Sequence, residues 1–205
     1  MSRLIIHHYV KSTRVLGPGE RSALWVSGCN KHCKGCLANE FAKESREGDT
    51  RELCELFCAQ TQCEGITISG GEPFLQAEAL CEMLEAIRRK RPDYSIVIYT
   101  GYTVDELQKS QDEYIARLIE LSDIIIDGEY VQEQDNGRAY VGSANQRVIY
   151  TSERYRGCGY YETKKPREIE LVIGEGGLYM TGVPSAAQLG AWQSIKAQLK
   201  GGKES

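Results

Sequence analysis

Three cysteines in one short segment constrain this chain more than any other feature of its sequence. Cys29, Cys33 and Cys36 follow the spacing C-x3-C-x2-C directly after an apolar run at residues 24–26. A tight loop with such spacings turns its thiolates towards a common point, which is the arrangement that an iron–sulfur cluster needs. A cube of four irons held by three thiolates leaves one iron open to another ligand. The segment therefore predicts a [4Fe–4S] cluster with an open, reactive position.

Two other uses of these cysteines compete with the cluster. A zinc site needs a fourth ligand, and His32 lies inside the loop, but its position directly beside Cys33 makes tetrahedral closure awkward. A disulfide framework is less favoured, because the eight cysteines are diluted in 205 residues and we recognise no secretory signal peptide. This cysteine usage leads us to expect a reducing, cytoplasmic location.

A second motif, Gly-Gly-Glu-Pro at residues 70–73, follows a strand-like run at residues 67–69. Gly70 and Gly71 allow backbone conformations and close approaches that other residues forbid, and the acidic Glu72 comes next. Paired glycines are also common in ordinary strand-to-helix turns. The order of the two motifs, each after a strand-like run, favours a shared function over an ordinary turn.

In these two motifs the chain resembles the radical S-adenosylmethionine superfamily, for which they are diagnostic. The resemblance implies that the three cysteines hold a [4Fe–4S] cluster whose fourth iron is chelated by the amino and carboxylate groups of S-adenosylmethionine. It also implies that Gly70, Gly71 and Glu72 receive the methionine end of that cofactor. A backbone without side chains can approach the ligand closely, and a carboxylate suits its ammonium group.

Composition excludes two classes of partner. The net charge of −4 is spread along the chain, without the basic patch that a nucleic-acid-binding protein normally carries. No apolar run approaches the roughly 18 residues needed to span a membrane. We therefore expect neither nucleic acid nor a membrane as a partner.

Strand-like and helical patterns alternate along residues 22–128. Strands are predicted at 22–26, 65–69, 95–100 and 122–128, helices at 51–60 and 76–91, and helical material at 104–121. Asp49 or Thr50 is the expected N-cap of the first helix. This order predicts an α/β fold with a parallel sheet and crossover helices, and the resemblance implies a partial (β/α)6-type radical SAM barrel.

Chemistry in such folds gathers at the carboxyl ends of the parallel strands. Both motifs fall there, and so do Thr100 and Asp127. Either residue could hydrogen-bond the ribose or the amino group of the cofactor, or could instead cap a helix or brace a turn.

Two further groups of residues have more than one reading. The polar residues at 145–147 could recognise a planar or anionic ligand, or could satisfy the edge of the sheet. Cys54, Cys58 and Cys63 could bind a second cluster, but the first two fall on the apolar stripe of the first helix and lack a compact loop. We favour core positions for them, because free cysteine is commonly buried.

Further segments narrow the resemblance to the activating enzymes of anaerobic (class III) ribonucleotide reductases. Gly35 stands before the third cysteine, where this subgroup has glycine and most of the superfamily has an aromatic residue. The resemblance implies that the backbone around Gly35, Cys36 and Leu37, together with Gly71, contacts the cofactor. Leu37 departs from the aromatic residue usual at that position. The resemblance covers about residues 17–150 and is carried by segments 26–36, 99–102, 127–131 and 142–146.

The chain continues for about fifty residues beyond the point near Thr151 where short members of that family end. We predict a radical SAM core domain at residues 1–151 and a C-terminal hairpin-plus-helix extension at 152–205 that packs on the core. The hairpin has strand-like runs at 168–173 and 178–180. The helix begins after Pro184 and carries an apolar stripe that we expect to cover the chain's own sheet. The stripe consists of Leu189, Trp192, Ile195 and Leu199.

The function that the resemblance implies is that of a radical SAM activase. A flavodoxin- or ferredoxin-type donor would reduce the cluster, S-adenosylmethionine would be cleaved to a 5′-deoxyadenosyl radical, and that radical would take a hydrogen from a glycine of a partner glycyl radical enzyme, the anaerobic ribonucleotide reductase. No catalytic side chain is implied beyond the cluster and cofactor sites. The alternatives are a radical SAM enzyme acting on a peptide or small molecule, and a non-catalytic iron–sulfur electron-transfer module.

Overall fold

The computed structural model describes residues 2–36, 45–161, 165–174 and 177–201. Its strands are β1 (Arg3–Thr13), β2 (Arg21–Val26), β3 (Arg46–Asp49), β4 (Gly65–Gly70), β5 (Ser95–Tyr99), β6 (Ile124–Asp127), β7 (Arg147–Tyr150), β8 (Ile169–Gly174) and β9 (Gly177–Gly182). Its helices are α1 (Thr50–Cys58), α2 (Ala77–Lys90), α3 (Val104–Leu107), α4 (Glu113–Leu121) and α5 (Ala186–Gly201).

Seven strands form one sheet in the order β3-β1-β2-β4-β5-β6-β7. Strands β2, β4, β5 and β6 run parallel, whereas β1, β3 and β7 pair antiparallel with their neighbours. The predicted α/β class, and the four parallel strands with their crossover helices, are confirmed. The antiparallel strands at the two edges were not predicted.

Helices α1, α2 and α4 pack side by side on one face of the sheet. Successive side chains of a strand point to opposite faces of the sheet. In β5, Ile96 and Ile98 therefore point to the helices and Val97 points away from them. Asp49 is the N-cap of α1, since its carboxylate accepts hydrogen bonds from Arg51 N at 2.9 Å and Glu52 N at 3.2 Å.

The helical material predicted at residues 104–121 is confirmed, and the structure divides it into two helices, α3 and α4. Thr103 and Glu106 form a capping box that begins α3, and the Asp112 carboxylate accepts a hydrogen bond from Tyr114 N at 2.9 Å to begin α4. Two local capping signals thus begin the two helices, and the polar residues 108–112 separate them.

The tyrosine-rich segment that follows β7 covers the sheet face opposite the helices. Tyr155 and Tyr161 are buried against Val97 and its neighbours on β6. The Tyr155 hydroxyl lies 2.9 Å from Ser95 Oγ and 3.0 Å from Glu64 Oε1. Both partners lie at the amino end of the parallel strands, so the segment closes that end of the sheet.

Arg21 is completely buried at the same end of the sheet. Its guanidinium donates five hydrogen bonds, to Pro18 O, to the hydroxyls of Thr67 and Ser95, and to the carbonyls of Ile66 and Ser95. A buried cation is tolerated only when its donors are satisfied in this way.

The predicted hairpin and final helix are present as β8–β9 and α5. Ser185 and Gln188 cap the helix reciprocally, at 2.8 Å and 3.3 Å. Trp192 of the predicted stripe is buried, whereas Leu199 at its end is 55% exposed. The stripe is therefore only partly covered by the rest of the chain that the structure describes.

Side chains on β1 and before β8 hold the hairpin and helix to the sheet. The His8 ring stacks on Tyr179 of β9 with 3.9 Å between centroids. Arg167 is buried and donates to several carbonyls, including those of Val141 and Pro184. Among the described residues, no helix combines the length and apolarity needed to cross a membrane.

Candidate functional site

The carboxyl ends of the four parallel strands form one rim, as predicted. In the parallel register Val26 is the partner of Gly70, so the cysteine loop and the Gly-Gly-Glu-Pro turn begin side by side. The segments after β5 and β6 continue the rim, because Tyr99 pairs with Ile126. Cys29 is exposed, and Cys33 and Cys36 are half-buried.

The two glycines allow the second motif to dock on the cysteine loop. Gly71 N donates to Val26 O at 2.7 Å, and Glu72 N donates to Gly28 O at 2.8 Å. A Cβ at Gly71 would lie 2.0 Å from Gly28 O, and one at Gly70, where φ is +108°, would lie 2.3 Å from Val26 O. No other residue type fits without displacing backbone, which is that of β2 at Gly70 and that of the cysteine loop at Gly71.

Glu72 is completely buried and joins the second motif to the end of β5. Its carboxylate accepts hydrogen bonds from Phe74 N at 3.0 Å, Thr100 Oγ1 at 2.8 Å and Gly101 N at 2.8 Å. Burial raises the pKa of the Glu72 carboxyl, and these hydrogen bonds oppose the rise. The structure thus brings Glu72 and Thr100 together, and it shows Thr100 bracing the turn. A contact of either residue with the cofactor stays a prediction.

Asp127 is also completely buried, at the end of β6. Its carboxylate accepts hydrogen bonds from Val104 N at 2.8 Å and from Arg147, at 3.0 Å to Nε and 2.6 Å to Nη2. Asp127 therefore caps α3 and pairs with Arg147 of β7. Of its two proposed roles, the structure shows the capping role. Its role as a cofactor ligand stays a prediction.

A lysine that sequence reasoning did not single out ties the cysteine loop to the rest of the rim. Lys31 Nζ lies 3.0 Å from Glu129 Oε1 and 4.2 Å from the centroid of the Tyr102 ring. The Lys31 backbone N–H donates to Cys29 Sγ at 3.3 Å. Glu129 also lies beside the cysteines, with Oε2 at 3.9 Å from Cys33 Sγ. Lys31 and Glu129 therefore link the loop after β2 to the turns after β5 and β6.

The polar residues at 145–147 satisfy the backbone that follows β6. Asn145 Nδ2 donates to Glu129 O at 2.8 Å, and Gln146 Nε2 donates to Gly128 O at 2.9 Å. Since Arg147 binds Asp127, all three side chains have partners within the chain. Of their two readings, the structure shows the one in which they satisfy the sheet edge.

Gly35 lies between the last two cysteines in a left-handed conformation, with φ of +73°. A Cβ there would lie 2.7 Å from Gln132 Oε1, so the loop packs closely on the short 3₁₀ turn Gln132–Gln134. Leu37 lies outside the described residues. Cofactor contacts at Gly35, Cys36 and Leu37 stay predictions.

The two less favoured metal interpretations, zinc at the cysteine loop and a second cluster on α1, gain no support from the arrangement. Within the part of the chain that the structure describes, no three His, Cys, Asp or Glu side chains gather closely enough for a single metal ion. Cys54 and Cys58 are neighbours at 4.0 Å, but Cys63 donates to Lys11 O at 3.3 Å in another part of the core. A zinc ion at the cysteine loop, and a second cluster on α1, therefore have no assembled ligand set there.

Comparison with known proteins now identifies the family. A model of the 4Fe-4S single cluster domain matches residues 15–149. The anaerobic ribonucleoside-triphosphate reductase-activating protein of Vibrio cholerae is 34% identical over 149 residues, which are 68% of this chain and 94% of that protein. The chain belongs to the family of these activating proteins. Proteins of the same name are 35% identical over 147 residues in Haemophilus influenzae (67% of this chain, 92% of the relative) and 30% identical over 151 in Escherichia coli K12 (69% and 96%).

The cysteine loop of this activating-protein family member fits an iron–sulfur cluster by the chemistry of its donors. Soft thiolates are the ligands that such clusters take, and a four-iron cube spreads its ligands over separate irons, so no single-ion geometry is needed. Among the described residues, and apart from its own chain neighbours, Gly28 has no atom within 4 Å of the place where a Cβ would stand. The described part of the loop therefore has open space at this point of the rim.

The family match ends at residue 149, so the hairpin β8–β9 and helix α5 lie beyond it. The relatives are matched over nearly their whole length, whereas about a third of this chain has no counterpart in them. The tyrosine-rich segment and the hairpin are thus additions to the matched region, and they pack on the sheet face that the helices leave uncovered.

Proposed function

We propose that this protein is a radical SAM activase that generates a glycyl radical on a partner enzyme, the anaerobic ribonucleotide reductase. One observation carries the proposal. In a chain belonging to a family of reductase-activating proteins, the cysteine loop is hydrogen-bonded directly to the Gly-Gly-Glu-Pro turn through Gly71 N and Glu72 N. A binding or electron-transfer module would not require a Gly-Gly-Glu-Pro turn beside its cysteine loop.

Within this proposal, Cys29, Cys33 and Cys36 hold a [4Fe–4S] cluster. The backbone of residues 35–37 and 70–72 receives S-adenosylmethionine, with polar contacts from Thr100 and Asp127. When bound, the cluster and cofactor supply one-electron reduction and a carbon-centred radical. The protein binds and orients them and excludes water. The buried Glu72 carboxylate would offer the positively charged amino group an anionic partner.

The fold that suits this function is a partial (β/α)6-type radical SAM barrel formed by residues 1–151. Four parallel strands with antiparallel strands at both edges support a barrel that is incompletely closed. A glycine-bearing loop of the partner would enter at the rim. Residues 152–205 form an extension that blocks the opposite end, where Tyr155 bonds Ser95 and Glu64. A flavodoxin- or ferredoxin-type protein would deliver the electron.

The proposal is tested with the full chain after anaerobic reconstitution with iron and sulfide. We expect about four irons per chain and formation of 5′-deoxyadenosine from S-adenosylmethionine with dithionite. Electron paramagnetic resonance should show a glycyl radical once an anaerobic ribonucleotide reductase is added. Cys33→Ala should abolish all three signals. Cys81→Ala, at a buried cysteine whose thiol donates to Tyr114 O, is the matched control and should retain them.

The other outcomes separate the alternatives. Cofactor cleavage without a radical on the reductase would replace the activase by a radical enzyme with a peptide or small-molecule substrate. A reducible cluster that never cleaves S-adenosylmethionine would leave an electron-transfer module and refute the enzyme.

A further inference from the structure

Helix α1 carries a pair of cysteines that the proposed function does not use. Cys54 and Cys58 are one helical turn apart on the same face, and their sulfur atoms are 4.0 Å from each other. Two sulfur atoms at this separation are in van der Waals contact, so one further atom can bond to both of them. The helix fixes this separation.

The pair is reachable from solvent through one of its members. Cys54 is 2% exposed, whereas Cys58 is only half-buried. Lys90 of α2 and Glu55 form an ion pair beside the two thiols. A reagent can therefore bond first to the accessible Cys58 and then to Cys54, which lies within reach of the same atom.

The Cys54 thiol is held in its neutral form. Burial, which is the largest cause, and the neighbouring Cys58 together raise the pKa of Cys54 to about 11. A metal ion that binds only thiolates must first displace this proton. An electrophile that removes thiol protons as water meets no such obstacle.

We propose that Cys54 and Cys58 form a bidentate site for trivalent arsenic, as arsenite or as an organic arsenoxide. Two S–H bonds break and two arsenic–sulfur bonds form. An arsenoxide gives up its single oxygen with both protons as one water, whereas arsenite gives up two hydroxyl groups, each with one proton, as two waters. No atom changes oxidation state, so the step needs no oxidant or reductant.

The other cysteines of the described core do not offer such a pair. Cys63 donates to Lys11 O at 3.3 Å, and Cys81 donates to Tyr114 O at 3.4 Å. Each has a backbone partner in a different part of the fold. The second thiol of the α1 pair acts at high effective concentration once the first has bonded, which makes the pair bind arsenic far more tightly than a lone cysteine does.

The test uses phenylarsine oxide and the full reconstituted chain, with the adduct counted by intact mass spectrometry and located by tandem mass spectrometry. We expect one adduct bridging residues 54 and 58. Cys54→Ala or Cys58→Ala should weaken it by roughly 100-fold or more. Cys63→Ala, the matched control, should leave it unchanged. Ethanedithiol should remove the adduct, whereas the same excess of glutathione should not.

A second preparation makes the test independent of the proposed function. The chain with Cys29→Ser, Cys33→Ser and Cys36→Ser cannot bind arsenic at the cysteine loop, and it should still form the adduct. Circular dichroism checks that each variant is folded. If Cys54→Ala fails that check, the half-buried Cys58→Ala decides the result. No adduct, an adduct that survives Cys58→Ala, or its release by glutathione would overturn the proposal.

Discussion

Replacing Gly71 by alanine tests the contact on which the site depends. The new Cβ would lie 2.0 Å from Gly28 O, whereas such atoms need at least 3.0 Å, so the two segments must separate by about 1 Å. That displacement lengthens the 2.8 Å bond from Glu72 N to Gly28 O to about 3.8 Å, beyond hydrogen-bonding distance. The bond from Gly71 N to Val26 O is strained in the same way.

The cost follows from these contacts. Two weakened hydrogen bonds cost about 0.5–1.5 kcal/mol each, and overpacking costs about 1–3 kcal/mol. We therefore expect Gly71→Ala to lose about 2–6 kcal/mol of the roughly 5–15 kcal/mol typical of a folded domain. With a slope of about 2 kcal/mol per molar urea, the unfolding midpoint of the iron-free chain should fall by roughly 1–3 M. In the reconstituted chain, 5′-deoxyadenosine formation should fall by about 10-fold or more, because a loss of 1.4 kcal/mol at the site is tenfold.

The matched control is a glycine-to-alanine substitution at a position that has space for the new Cβ. Gly190 lies in α5, and apart from the nearby backbone of that helix no described atom lies within 4 Å of its Cβ position. Gly190→Ala should stabilise the chain by about 0.8–1 kcal/mol through helix propensity alone. An unchanged urea midpoint and unchanged cofactor cleavage in Gly71→Ala would refute the view that close backbone contact holds the two motifs together.

Four other substitutions are tested by urea unfolding, and two of them, at Arg21 and Tyr155, lie at the end of the sheet opposite the rim. Arg21→Met should cost about 3–5 kcal/mol because it leaves several buried acceptors without a donor. Arg3→Met, which removes an exposed ion pair, should change stability by less than about 1 kcal/mol, and equal losses would contradict the argument. Tyr155→Phe should cost about 1–3 kcal/mol through loss of its bonds to Ser95 and Glu64, and no loss would mean that the segment after β7 is not held there. Burial lowers the pKa of His8 from 6.5 to about 4, so between these values the unfolded chain binds a proton that the folded chain does not. Stability should therefore fall as the pH falls from about 6.5 towards 4, and His8→Phe should lessen that fall; parallel pH curves would contradict it.

The centre of the fold could be predicted because its strands are buried on both faces. Apolar runs such as Ile124 to Ile126 are almost inaccessible to solvent, and runs of this kind are recognisable without a partner. Strand β1 carries no comparable signal. Its pairing with β2 shifts register between Ile6 and His8, so inward and outward positions do not alternate regularly. The division of the helical segment 104–121 into two helices depends on the capping residue Asp112, which begins α4.

The site could be predicted where the backbone itself is constrained. The cysteine spacing and the glycine pair are local patterns, and both can be recognised in the sequence without knowledge of the fold. Lys31 and Glu129 carry no such pattern, since they are 98 positions apart and meet only after β2 and β6 join the same sheet. Asp127 was correctly located at the rim, but its pairing with Arg147 depends on the antiparallel β7, which the sequence reading did not contain.

The two buried carboxylates at the rim have one structural role in common. Glu72 accepts a hydrogen bond from the backbone of the neighbouring turn at Gly101 N, and Asp127 accepts one from Val104 N at the start of α3. Burying a carboxylate is unfavourable unless hydrogen bonds offset the loss of water, and each of these carboxylates has at least three. Each thereby fixes a loop that follows a different parallel strand. Contacts within the chain alone hold these loops in position, which is the pre-organisation that a site for a reactive cofactor requires.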